Sequence, residues 1–241
     1  MELLESLYSI NSKSGNEARI KSFVIEQLSG INLHIEEDYF GNIFITKGIA
    51  DIYPCVTAHF DEVHSPGNRT IVWNNGAVRA VDAEGNSTGC GADDKNGIWI
   101  IIQLLRSKQA LKVALFVQEE RDGEQPGCRG SRACSLSFFE NVKYVIAVDR
   151  KGNSDVVIFS QKSGISLCSK DFIPQLLLDK YGYQCVEGGR TDVVALKERG
   201  LQVPCCNISC GYYNAHTNEE YTLFADLAKA LSFVNELIDT I

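Results

Sequence analysis

The chain has 241 residues, 44% of them hydrophobic, and 31 Asp+Glu against 23 Lys+Arg give a formal net charge of −8. That length suits one sizeable core, so a single domain over residues 1–241 is expected, while the acidic balance argues against a nucleic-acid or anionic-membrane partner. No stretch reaches the roughly 18 apolar residues of a membrane span, and the acidic start of the chain does not read as a secretory signal. Nine cysteines, an odd number spread along the chain, fit reduced thiols in the cytoplasm.

In chain order, "SGNE" at 14–17 reads as a capping box, Ser14 with Glu17, opening a helix whose Ile20, Phe23, Val24 and Leu28 keep helical spacing. "INLHIEED" alternates, and "GNIFIT" after a Gly-Asn turn is its expected hairpin partner. Four short apolar runs, 53–59, 112–120, 143–149 and 203–209, suit strands covered on both faces. Helices are expected over 94–107, 170–181, 191–199 and 223–238; the first is apolar nearly all round and therefore buried. Strands alternating with helices predict a three-layer α/β/α fold around a mostly parallel sheet.

Three of the four apolar runs end in groups able to hold a metal: "AHFD", "VQEE" and "AVD". The fourth leads to "YNAHT", and "GADDKNG" opens the buried helix. In open α/β sheets ligands bind beyond the carboxyl ends of the strands. His59, Asp61, Asp93, Glu119, Glu120, Asp149 and His216 are thus expected on one rim. Imidazoles and carboxylates without a thiol suit Zn²⁺, Mn²⁺ or Co²⁺. Two imidazoles and three carboxylates, one of them bridging, can hold a pair of divalent cations, which activates a water and polarises a carbonyl.

The order and spacing of "HFD" (59–61), "GADDKNG" (91–97), "EE" (119–120), "VD" (148–149) and "AHT" (215–217) resemble the co-catalytic di-zinc exopeptidases. That superfamily includes zinc aminopeptidases, peptidase T and glutamate carboxypeptidase-like enzymes, and the resemblance spans residues 53 to 222. It implies two divalent metal ions, zinc before manganese or cobalt. His59 and Asp149 would hold one and Glu120 and His216 the other, with Asp93 bridging from a cis Asp93–Asp94 peptide. It also implies Glu119 as general base and Asp61 as hydrogen-bond partner of the non-ligating nitrogen of His59. "GGRTDVVAL" (188–196) resembles the segment lining the substrate side, which nominates Arg190 and Asp192. The implied activity is that of a metallo-exopeptidase, an aminopeptidase on short peptides.

Many such enzymes insert a lid or dimerisation domain after the metal-binding aspartate. Only 38 residues, 150–187, separate Asp149 from Gly188, so a catalytic domain without the lid is expected. An N-acyl-amino-acid deacylase or a carboxypeptidase on the same scaffold, and a non-catalytic binding protein, are the alternatives; oligomeric state is left open. Singly, each motif is ordinary surface charge or a helix N-terminus. His34 reads as solvent-exposed and His64 as a loop histidine. Cys205, Cys206 and Cys210 read as small buried residues, because no C-x-x-C pair is present for a structural zinc.

Overall fold

The computed structural model describes residues 1–120 and 123–241. The chain begins with helices α1 (Glu2–Ser9) and α2 (Ala18–Gln27), the hairpin β1 (Leu33–Glu37) and β2 (Ile43–Lys47), and then β3 (Tyr53–His59). Next come β4 (Thr70–Asn74), β5 (Ala77–Val81), β6 (Ser87–Thr88), α3 (Ala92–Ser107) and β7 (Leu111–Phe116). A short α4 (Arg129–Ala133) precedes β8 (Val142–Arg150), β9 (Asp155–Ser160) and β10 (Ile165–Ser166). The last third holds α5 (Gln175–Tyr181), β11 (Gln184–Gly188), α6 (Asp192–Glu198), β12 (Cys205–Ser209), β13 (Tyr212–Tyr213), β14 (Tyr221–Leu223) and α7 (Phe224–Thr240).

The main sheet runs β1-β2-β7-β3-β8-β12-β9-β10, with β11 added on β9. The parallel ladder β7, β3, β8, β12 at its centre contains the four expected apolar runs. Period-two alternation divides their side chains between two layers. Val56, Val113, Ile146 and Cys206 pack with α1, α3 and α7 on one face. Cys55, Ala114, Val145 and Cys205 pack with α6 on the other. The fold is therefore the expected three-layer α/β/α arrangement. Helix α3 lies against β3 and β8, with Ile98, Ile100, Ile101, Ile102, Leu104 and Leu105 all at 0% exposure. Each such side chain contributes about 1.5–3 kcal/mol by leaving water. No helix among the described residues is long and apolar enough to cross a membrane.

Several boundaries differ from expectation, each for a tertiary reason. Helix α2 starts at Ala18 with Glu17 as its N-cap, and no side chain caps it. The predicted box does not form because Ser14 bonds to Asp61, while Glu17 Oε1 accepts the N–H of Gly15 at 2.9 Å and of Gln118 at 3.2 Å. The strand expected over 112–120 stops at Phe116; Gln118, at φ 55°, turns the chain. Leu223 ends β14 instead of opening the last helix, and 170–181 splits into a 3₁₀ turn at Lys170–Phe172 followed by α5. Helix α1 and a small sheet, β13-β14-β5-β4 with β6 on β5, are additions to the expected elements.

Candidate metal centre

The candidate ligands gather at one rim of the parallel strands. His59 is the last residue of β3, Asp149 stands near the end of β8, and Asp93 opens α3. Glu120 lies past the turn after β7, and His216 lies between β13 and β14 at φ 64°. His59 Nε2 is 3.2 Å from Asp93 Oδ1 and 3.5 Å from Asp149 Oδ1. His216 Nε2 is 3.3 Å from Asp93 Oδ2 and 2.8 Å from Glu120 Oε1. Two triads result, His59–Asp93–Asp149 and Asp93–Glu120–His216, each with its ligand atoms within 4.8 Å of one another. Asp93 belongs to both, one oxygen facing each imidazole. The Asp93–Asp94 peptide is cis.

Among the described residues, no Lys or Arg pairs with Asp93, Glu120 or Asp149; the two imidazoles are their charged partners. Three crowded carboxylates in a low-dielectric pocket are costly unless cations neutralise them. The strain is visible in their protonation. Burial, with Asp93 adding, pushes Asp149 up to about 7, and burial with Asp93 likewise raises Glu120. Burial opposes ionisation of Asp93, but hydrogen bonds from His216 and His59 hold it below the ordinary carboxylate range. Bonds to Asp93 and Glu120 lift His216 to about 11. The donor set, imidazole nitrogen plus carboxylate oxygen with no thiolate, fits divalent zinc, manganese or cobalt.

The surrounding groups are as specific as the ligands. His59 Nδ1 lies 3.0 Å from the backbone oxygen of Asp61 and 3.4 Å from its carboxylate. The Asp61 carboxylate accepts the backbone N–H groups of Glu119 at 2.8 Å and Glu120 at 3.0 Å. It thereby fixes the turn that presents both glutamates. Asp94, fully buried, accepts the N–H of His59 at 3.3 Å and of Gly97 at 3.0 Å. Lys95 Nζ is buried against Glu62 Oε2 at 2.8 Å, and Arg69 forks the same carboxylate at 3.1 Å on each oxygen. Glu220 accepts N–H groups from the start of α3 and the ring of His64. His64 is thus not a free loop residue; a Cβ at Gly89 would lie 2.0 Å from its ring. Asp94 enters the sequence reading only through its peptide bond with Asp93, and Glu62 and Glu220 belong to none of its motifs; their roles depend on contacts between turns distant in the chain.

Glu119 stands in neither of the two triads that share Asp93, yet its ligand atom groups with those of His59 and Glu120. Burial pushes its carboxyl well above the ordinary range, with Asp192, Asp149 and Glu120 adding to that. Cys128 Sγ donates to Glu119 Oε1 at 3.1 Å. Asp192 is buried, accepts from Ser131 Oγ at 2.5 Å, and is pushed up to about 7 by burial. Arg190 is more exposed, 3.6 Å from Glu198, and lines a cavity of about 760 Å³ together with Asp93, Glu119, Glu120, Asp149 and His216. His34 is exposed beside Glu36, as expected. All nine cysteines are free, seven of them buried.

No protein-family model and no curated protein matches the sequence. Solved structures do match. Aminopeptidase PepT from Bacillus cereus ATCC 10987 is 15% identical with a TM-score of 0.81, covering 99% of this chain and 96% of that one. A tripeptidase from Staphylococcus aureus is 15% identical with a TM-score of 0.79, covering 98% and 96%. Aminopeptidase APDkam598 from the archaeon Desulfurococcus kamchatkensis is 15% identical with a TM-score of 0.77, covering 100% and 94%. The chain has the fold of these aminopeptidases and the tripeptidase.

Proposed function

We propose that the protein is a metal-dependent exopeptidase, hydrolysing the terminal amide bond of short peptides as an aminopeptidase, with two divalent cations held at the rim. The observation that carries this reading is the pair of triads sharing Asp93. His59 and Asp149 would hold one cation, Glu120 and His216 the other, and Asp93 both. Cations bound there would supply Lewis acidity toward a substrate carbonyl and lower the pKa of water.

The chain's own residues supply the rest. Glu119, beside the triads and raised in pKa by burial, takes a proton from the attacking water and returns it to the leaving nitrogen. Asp61 keeps Glu119 and Glu120 apart in role by fixing both backbone N–H groups. Arg190, Arg150, Lys151 and Lys162 line the same cavity as the carboxylates and suit the carboxylate of a small peptide. Asp192 acts through Ser131, which donates to it, and beside Glu119, rather than on substrate. Residues 150–187 form β9, β10, α5 and most of β11 of the main sheet, which supports reading the chain as one catalytic domain without a lid. A cytoplasmic setting agrees with nine free thiols.

The test is metal quantification coupled to cleavage of a peptide library, with and without chelator. Trimming from the amino terminus, lost on chelation and restored by zinc, is the expected result. Hydrolysis of N-acyl amino acids alone would replace the peptidase by a deacylase. No bound cation after reconstitution with zinc would leave a non-catalytic protein of this fold.

A further inference from the structure

Glu220 follows His216 by four residues and belongs to the same turn, its N–H bonding to Thr217 O at 3.2 Å. Its carboxylate, however, serves the opening of α3. Oε2 accepts N–H groups from Cys90 at 3.1 Å, Gly91 at 2.6 Å and Ala92 at 3.0 Å, and Oε1 meets the N–H of Asp93 at 3.4 Å. His64 Nε2 stands 3.2 Å from Oε2. The N-cap of α3 is Gly91, at φ 67°, with no side-chain cap of its own. A Cβ there would lie 1.9 Å from Glu62 Oε2, so the turn has no room to supply one. Three of the orphan donors that begin the helix, those of Gly91, Ala92 and Asp93, together with the Cys90 N–H just before it, are therefore met by one carboxylate from the His216 turn.

We infer that Glu220 is a positioning residue that holds Asp93, the shared ligand, in register with His216. This inference rests on the metal-centre reading above. A carboxylate at a helix N-terminus is favoured by the aligned backbone dipoles, and here the anchor is rigid at both ends. On one side β14 pairs with β5 immediately after Glu220; on the other α3 is packed in the core. The Asp93 backbone cannot shift toward or away from His216 without breaking bonds to Glu220. A group that orients a metal ligand in this way acts on cation affinity rather than on the chemical step.

Cobalt titration of the metal-free protein, followed by the visible absorption of the bound ion, tests this on Glu220→Gln. That variant keeps size but turns amide hydrogens toward backbone donors. Cobalt affinity should fall about 10–100-fold, and the band shape of the remaining complex should change. Retained affinity within about threefold and an unchanged band, with only the melting temperature lowered, would show a plain helix cap and overturn the inference. Should Glu220→Gln not fold, Glu220→Asp decides by the same readout, since it keeps the charge but withdraws the oxygens from the turn. A parent protein that binds no cobalt overturns the metal-centre reading and this inference together; a parent that binds while the variant matches it overturns this inference alone.

Discussion

The Asp94 carboxylate accepts the backbone N–H of His59 at 3.3 Å, across the gap between α3 and the end of β3. Two adjacent aspartates thus divide one task. Asp93 faces both imidazoles, and Asp94 fixes the strand end that carries one of them. Burial and the nearby charge of Asp149 push the Asp94 carboxyl well above its ordinary range, which suits an anchor held inside the protein.

Glu119→Gln should lower turnover by about 10²–10⁴-fold, the usual contribution of a positioned base. Metal content should remain that of the parent, because neither triad sharing Asp93 includes Glu119. Steady-state kinetics beside elemental analysis checks both halves. A variant that loses its metal would mean that the roles of Glu119 and Glu120 are exchanged.

Asp61→Asn should weaken cation binding by about 10–100-fold while leaving the fold intact. Backbone donors from Glu119 and Glu120 bond to different oxygens of this carboxylate, and an amide keeps only one of those oxygens as an acceptor. Competition with a chromophoric chelator measures the affinity, and circular dichroism reports the fold.

Metal affinity should rise with pH, more steeply below about 7 than above it. In the cation-free protein, bonds to Asp93 and Glu120 lift His216 to about 11, and, against burial, bonds to Asp149, Asp61 and Asp93 raise His59 well above its ordinary value, so both imidazoles must give up a proton at any ordinary pH. Asp149, raised to about 7 by burial, carries a further proton only below that value. Each displaced proton changes affinity about tenfold per pH unit. Calorimetry in buffers of different ionisation enthalpy counts the protons, and an affinity flat between pH 6 and 8 would contradict the assignment.

Lys95→Met should destabilise the protein by about 3 kcal/mol, the lower part of the range for breaking a buried ion pair. Glu62 would keep Arg69, which limits the loss, but the backbone oxygens of Ile10 and Cys90 would lose their shared donor. Urea unfolding of the metal-free protein measures this apart from cation binding.

His59, Glu120 and Asp149 were legible because they follow or end short apolar runs that a parallel sheet places on one rim, and Asp93 and His216 because they sit in short motifs after those runs. The layers were legible for the same reason, since β3, β7, β8 and β12 are largely apolar. The Asn75–Gly76 turn, with both residues at positive φ, is the hairpin signal that joins β4 to β5. Ser14 and Glu17 carry a capping-box pattern that local sequence cannot distinguish from a real one; Asp61 and Gln118, from loops after β3 and β7, draw the two side chains away. Glu220 was hidden most deeply. Its meaning depends on donors 127 to 130 residues earlier in the chain.

Residues 10–17 supply none of the five candidate ligands, yet they are bonded to several of the groups that surround them. Ile10 O receives Lys95 and Arg69, Ser12 N–H reaches Glu62, and Glu17 takes the N–H of Gln118. Ser14 adds its bond to Asp61. A proteolytic nick in this strap would leave the central sheet whole while loosening the collar around the candidate metal centre, so a fusion that pulls on the amino-terminal segment should be felt there first.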